Sequence, residues 1–233
     1  MIFIIDLNYL PFHTEEELKS LTLQIIQAYS ILNKRGYKLV LSINQNVKYL
    51  DYLIRRIENT KIFLIRGSLK YSLSVFGITR PLVLDPYALR TLKEEDLYYF
   101  NGIIIGGIVD KTPKKGITTY LTRMSLPNVQ SRKIELRGSR LGVPNTINGI
   151  VSLIVKTREL NNLEKAIKEV QSKREARVRA ASEINKLKNF DCNKIFKKLE
   201  ELKEWLNIDY NDFYKILSRT KYRPCIKLLK EIG

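Results

Sequence analysis

Apolar residues arrive in short runs along the first half of the chain: "MIFIIDL" at 1–7, "YKLVLSI" at 37–43, "KIFLI" at 61–65, "LVLD" at 82–85 and "GIIIGG" at 102–107. Each run is bounded by charged or turn-forming residues and is too short for a helix, so each reads as a strand buried on both faces. Between them the spacing turns helical. "HTEEELKSLTLQIIQAYSILNKRG" carries Thr14 and Glu17 at the distance of a capping box and Gly36 as its stop. A helical pattern follows around 47–58, then a short amphipathic piece near 68–76, and Thr91 with Glu94 repeats the box before "EEDLYYF". This alternation predicts an α/β fold, a parallel sheet flanked by helices.

Beyond residue 107 the pattern predicts a short helix near 117–124, a strand "RKIEL" at 132–136, a loop "RGSRLGVP" and a helix "NTINGIVSLIVK". From Asn161 onward, Leu163, Ile167, Val170, Val178, Ala181, Ile184 and Leu187 mark one face of a long helix. Its other positions include Lys165, Lys168, Lys173, Arg174, Arg177 and Arg179, which form either a solvated face or an RNA-facing one. Residues 190–233, with Trp205, Phe213 and Leu217 at helical spacings, read as a small helical appendage. The division expected is a domain over 1–178 and a helical C-terminal region over 179–233.

Charge sharpens the picture. The 233 residues carry 41 Lys and Arg against 24 Asp and Glu. The net excess is +3 over residues 1–100, +11 over 101–189 and +3 over 190–233. A solubilising surface spreads its charge, whereas this concentration points to a polyanionic partner, since each cation set on a phosphate releases counterions. No apolar run approaches the roughly 20 residues of a membrane span and no signal peptide opens the chain, so a soluble, cytoplasmic protein is expected. Cys192 and Cys225 lack C-x-x-C spacing and are expected to be small buried hydrophobes rather than a disulfide. A single histidine cannot complete a usual zinc set, and His13 is taken as a loop residue outside the chemistry.

The densest chemistry lies in "GGIVDKTPKKG", 106–116, where Asp110 stands among glycines and lysines at the end of a strand. The order Lys115-Gly116 fails the G-x-x-x-x-G-K-[ST] phosphate loop, and "GGIVDK" fails the dinucleotide fingerprint. What remains is a pocket at the end of a parallel sheet, in which Gly106 and Gly107 let the backbone approach a ligand and Asp110 reaches over it. Asp6 and Asp85 end strands too. Three carboxylates on one sheet edge could hold magnesium for phosphodiester cleavage, which keeps a metal-dependent nuclease open as a rival.

Taken together, "IDLNYL", "LTLQIIQAYSILNKRG", "VLDPYA", "IIIGGIVDKTPKKGIT" and "GVPNTINGIVSLIV" resemble the successive motifs of the tRNA purine-nine N1-methyltransferases, a branch of the SPOUT superfamily. The resemblance covers roughly residues 1–178. It implies an α/β domain whose C-terminal part forms a trefoil knot, S-adenosylmethionine as cofactor, no metal, and tRNA as partner, with the protein acting as a monomer. Carried over by position, it implies that Leu84, Gly106, Gly107, Thr118, Ile134, Val143, Asn145 and Thr146 line the cofactor pocket. Asp110 matches the acid beside the methyl-transfer site and Asp6 a second acid near the substrate. "SRKIEL" lacks the family's proline, and "GVPNT" departs from its threonine-rich run. Lys111, Lys114, Lys115, Arg123, Arg132, Arg137 and Arg140 would meet tRNA phosphates. Adenine is the favoured base and guanine the alternative. An RNA-binding protein that has kept the fold and lost the cofactor is the other reading.

Overall fold

The computed structural model describes residues 1–44, 49–109, 120, 124–188 and 191–228. Among them, six strands form one parallel sheet: β1 (Ile2–Asp6), β2 (Lys38–Ile43), β3 (Phe63–Arg66), β4 (Pro81–Leu84), β5 (Gly102–Gly106) and β6 (Gln130–Arg132). They lie in the order β3-β2-β1-β5-β4-β6. The chain runs outward from β1 to β3, then restarts on the far side with β4 and places β5 in the gap beside β1. Such a reversal leaves a crevice at the carboxyl ends of the strands.

The register makes those ends coincide. Asp6 is opposite Gly106, Leu84 opposite Ile105, and Leu84 opposite Arg132. The four central strands β2, β1, β5 and β4 are largely apolar because both their faces are covered, whereas the edge strands β3 and β6 are partly exposed. On one face Ile4, Val40, Val83 and Ile104 pack with Leu69, Leu73 and Ile78, of which Leu69 and Leu73 belong to α3 (Leu69–Val75). The alternate residues Phe3, Ile5, Leu39, Leu41, Ile103 and Ile105 are buried on the other face. α1 (Glu15–Asn33) begins with the expected box: Glu17 N–H donates to Thr14 Oγ1 at 3.3 Å and Thr14 N–H to Glu17 Oε2 at 2.8 Å. Gly36, at φ +69°, follows it.

Two compact units divide the chain. The first, Met1–Ile134 with Asn145–Arg158, holds the sheet, α2 (Leu50–Ile57), α4 (Asp96–Tyr99) and α5 (Ile147–Leu160) up to Arg158. The second, Glu135–Pro144 with Glu159–Gly233, holds α6 (Leu163–Val170), α7 (Lys173–Asn185), α8 (Cys192–Trp205) and α9 (Tyr210–Leu217). A border at 178/179 falls inside α7, whereas the units change over after Arg158.

Several expectations are corrected. The strand expected at 132–136 is β6 at Gln130–Arg132, and Lys133 instead bridges Thr91. Thr91 is thereby tied to the sheet edge, and α4 begins at Asp96, with Lys93 N–H donating to Asp96 Oδ2 at 3.0 Å. The single long helix is two. Gln171 is extended, and a capping box from Ser172 to Glu175 restarts the chain as α7. The restart rotates the buried face, so Ala176, Arg179, Ala180 and Ile184 point inward while Val178 is exposed. Finally, Cys192 and Cys225 are joined by a disulfide. The expected helix near 117–124 falls mostly outside the described residues.

Candidate active site

The carboxyl edge of the sheet brings together the last residues of β1, β5 and β4. Asp6 is buried, and its Oδ1 accepts from Asn8 N–H at 3.1 Å and from Asn8 Nδ2 at 2.7 Å. Asn8 Oδ1 in turn accepts from Asn44 N–H at 2.9 Å, so the acid is fixed to the end of β2 as well. Burial pushes the Asp6 carboxyl above its ordinary value, and the two Asn8 bonds pull it only partly back. An acid so placed is suited to accepting a proton or a hydrogen bond from a bound base.

Gly107 serves this arrangement differently from the way the sequence implied. Its N–H donates to Asp6 O at 2.8 Å. A Cβ there would stand 2.8 Å from that oxygen, 2.8 Å from Leu7 Cδ2 and 3.0 Å from Ile5 Cγ2. The missing side chain therefore allows close approach to β1. Asp85 closes a turn: its Oδ1 accepts from Tyr87 N–H at 2.9 Å and its own N–H donates to Arg132 O at 2.9 Å. Asp6 and Asp85 end strands separated by β5, which at ordinary strand spacing puts them roughly 10 Å apart. That is far beyond the span of one shared cation, whose oxygen ligands stand about 2.0–2.6 Å from it. Among the described residues no group of three or more His, Cys, Asp or Glu side chains is placed to hold a metal.

Leu84 and Ile134 are buried at the same edge, and Thr146 Oγ1 accepts from Gly149 N–H at 3.2 Å at the start of α5, beside Asn145. Val143 belongs to the second unit. Asp110, Thr118, Lys111, Lys114, Lys115 and Arg123 lie outside the described residues. Arg132 is committed to the sheet edge: both oxygens of Asp96 accept from its guanidinium at 3.0 Å, and its side chain is 11% exposed. Arg137 is half exposed and lies 4.5 Å over the Trp205 ring. Arg140 is exposed.

His13 is the residue the sequence reading set aside. It is buried, and its Nε2 accepts from Val109 N–H at 3.1 Å, directly before Asp110. The ring also stands edge-on to Tyr9 at 5.2 Å. Its being the one histidine of the chain is the signal that could have marked it. Asn8 was legible too, because a carboxylate commonly bonds the backbone two residues on.

No protein-family model matches the chain. Over 228 residues it is 32% identical to the tRNA (guanine(9)-/adenine(9)-N1)-methyltransferase of Thermococcus kodakarensis, covering 92% of this chain and 61% of that one. It is also 32% identical over 211 residues to the tRNA (adenine(9)-N1)-methyltransferase of Sulfolobus acidocaldarius, covering 88% and 64%. The crystal structure of the dual-specific Trm10 from Thermococcus kodakaraensis matches at 33% identity with a TM-score of 0.64, over 73% of this chain and 99% of that one. The chain belongs to the tRNA purine-nine N1-methyltransferase family. Sulfolobus acidocaldarius Trm10 in complex with S-adenosylhomocysteine matches at 25% identity and a TM-score of 0.68, over 93% of this chain and 67% of that one. The chain spans about three fifths of the length of the curated family members it matches, 61% and 64%.

Proposed function

We propose that the chain is an S-adenosylmethionine-dependent tRNA methyltransferase acting on N1 of the purine at position nine, with adenine favoured. The observation that carries this is the carboxyl edge of the sheet, where buried Asp6, Leu84, the Gly106–Gly107 pair and Ile134 are set by the register of β1, β4 and β5, in a chain whose relatives bear that activity in their names. The residues fit the cofactor. Leu84 and Ile134 offer apolar surface to a purine ring, strand-end backbone groups offer hydrogen bonds to its edge, and the nearby acid suits a cation. Thr118, Val143, Asn145 and Thr146 complete the proposed lining, and the trefoil knot belongs to this reading. The cofactor supplies an electrophilic methyl group on a sulfonium.

What remains for the protein is largely placement, since a correctly oriented nucleophile needs little further help. Asp110 and Asp6 orient the target base. Adenine N1 carries a free lone pair and needs only a hydrogen-bond acceptor at its amino edge. Guanine N1 carries a proton that must leave, so there an acid must also act as base. Lys111, Lys114, Lys115, Arg123, Arg137 and Arg140 are the proposed contacts to tRNA phosphates; the protein acts as a cytoplasmic monomer.

Calorimetry with S-adenosylhomocysteine tests the reading against a fold that has lost its cofactor: saturable binding to the wild type is expected, and its absence refutes the assignment. Rates of Asp110→Asn and Asp110→Ala then separate the bases. For adenine, Asp110→Asn keeps measurable activity and Asp110→Ala loses more; for guanine both lose most of it.

A further inference from the structure

β1 and β5 run side by side with Asp6 opposite Gly106, and just past the end of β5 Gly107 N–H still donates to Asp6 O at 2.8 Å. We propose that His13 is a positioning residue for methyl transfer, because its imidazole supplies the next rung of this ladder, at Val109, the residue that precedes Asp110 in the chain. The inference rests on the methyltransferase reading and on the role of Asp110 proposed above.

In a parallel ladder the acceptors of one strand serve every second residue of its neighbour. With Gly107 bonded to Asp6, the acceptor due to Val109 is the backbone oxygen of Asn8. By then the chain has left the sheet: Leu10 N–H donates to Leu7 O at 2.8 Å and Phe12 N–H to Tyr9 O at 3.0 Å, which winds Leu10–Phe12 into one 3-10 turn. Val109 N–H donates instead to His13 Nε2 at 3.1 Å, a bond between residues 96 apart in the chain. A side chain thus stands in for a strand that has ended.

The ring is fixed before it makes this bond. His13 N–H donates to Leu10 O at 3.2 Å, which closes the turn, and Thr14 beside it begins the capping box of α1. The imidazole is buried, and Tyr9, itself buried, meets it edge-on at 5.2 Å. Because the partner is a backbone donor, Nε2 carries no proton, so the ring is neutral with its proton on Nδ1. The stretch from Asp6 to His13 therefore serves both strand ends. Asn8 fixes the Asp6 carboxyl, and His13 fixes the chain two residues beyond Gly107. Filling the core asks only for an apolar ring; the acceptor aimed at Val109 is what such a ring lacks. All of these residues belong to the first unit.

The test uses the full chain. His13→Phe keeps a ring against Tyr9 and has no acceptor, whereas His13→Gln carries Oε1 near the place of Nε2. Each is followed by circular dichroism, hydrogen exchange of peptides covering 107–109 and steady-state methylation of tRNA. The expected result is a folded His13→Phe whose kcat falls about tenfold or more while KM for S-adenosylmethionine and for tRNA stays within about twofold, with faster exchange in 107–109. His13→Gln should recover most of the kcat. The wild type offers a measurement that needs no variant. His13 is the one histidine of the chain, so nitrogen NMR of histidine-labelled protein at about pH 8 reads its ring alone and should show a proton on Nδ1 and none on Nε2. A folded His13→Phe with wild-type kcat, a His13→Gln no faster than His13→Phe, or a proton on Nε2 overturns the inference alone. If His13→Phe does not fold, the wild-type tautomer and the kcat of His13→Gln decide: a proton on Nδ1 with kcat close to wild type supports the inference, and any other pair of results overturns it. A wild type that methylates no tRNA overturns the methyltransferase reading and the inference with it.

Discussion

Replacing Gly107 with alanine puts a methyl group where β5 leaves the sheet beside β1. Two of the three atoms it meets cannot yield cheaply: Asp6 O, 2.8 Å away, is backbone, and Ile5 Cγ2, 3.0 Å away, belongs to a fully buried side chain. Overpacking of this kind costs about 1–3 kcal/mol. The same movement stretches the 2.8 Å bond from Gly107 N–H to Asp6 O, worth about 1 kcal/mol. The expected loss is therefore about 2–4 kcal/mol, which for a chain of this size lowers the melting temperature by about 4–16 °C. Gly67 is the control. Its added Cβ would also meet an atom at 2.8 Å, but that atom is on the exposed Tyr71 ring, which can swing away. Gly67→Ala should cost below about 0.5 kcal/mol. Urea denaturation and thermal melts of both variants measure the difference, and S-adenosylhomocysteine calorimetry reads the site. A Gly107→Ala variant as stable as Gly67→Ala would show that β1 and the end of β5 are not in this contact, and the described strand edge would be wrong.

Burial raises the Asp6 pKa, so the stability that protonated Asp6 contributes is complete below the unfolded value of about 4 and is lost as pH rises through the folded value. Asp6→Asn keeps an oxygen for Asn8 without the charge; its stability relative to wild type should grow in the variant's favour from pH 4 upward in urea titrations, and a pH-independent difference would contradict the assignment. Cys192 and Cys225 are 33 residues apart, a loop whose closure is worth about 3–4 kcal/mol. Reduction, or Cys192→Ser, should lower the denaturation midpoint of the oxidised protein accordingly, and mass spectrometry should find no free thiol before reduction. Changing Lys114 and Lys115 together to Glu should weaken tRNA binding and flatten the dependence of log K on log salt by about 1–2, while cofactor affinity stays the same; an unchanged slope would remove both residues from the interface.

The strands of the first hundred residues could be read from their apolar runs because a parallel sheet covered on both faces leaves no alternation to misjudge. Thr14 and Glu17 announced α1 for the same local reason. Where local signals met tertiary ones, the reading slipped. Thr91 pairs with Lys133 at the sheet edge, a contact that its spacing to Glu94 does not announce. "RKIEL" looks more like a strand than "QSR", yet the register with Leu82–Leu84 selects Gln130–Arg132. The break at Gln171 was legible as Ser172-x-x-Glu175, which a continuous apolar stripe concealed. Arg179 was grouped with the cations of that helix because nothing in one dimension tells a buried arginine from a solvated one. The disulfide depends on Cα atoms 5.5 Å apart, a distance no spacing encodes. At the site, Asp6 and Gly107 were read from strand ends and Leu84 from the family resemblance, but Gly107 is needed for its approach to β1, and His13 became visible only through its bond to Val109.

The central claim is methyl transfer to N1 of a purine at position nine. It is tested most directly by incubating the full chain with S-adenosylmethionine and two tRNA transcripts differing only in A or G at that position, then digesting to nucleosides and fragments for mass spectrometry. The account predicts N1-methyladenosine mapped to position nine of the A transcript, with lower or no yield of N1-methylguanosine from the other. N1-methylguanosine as sole product would overturn the preference for adenine, and no methylation of either transcript by protein that binds S-adenosylhomocysteine would contradict the claim itself.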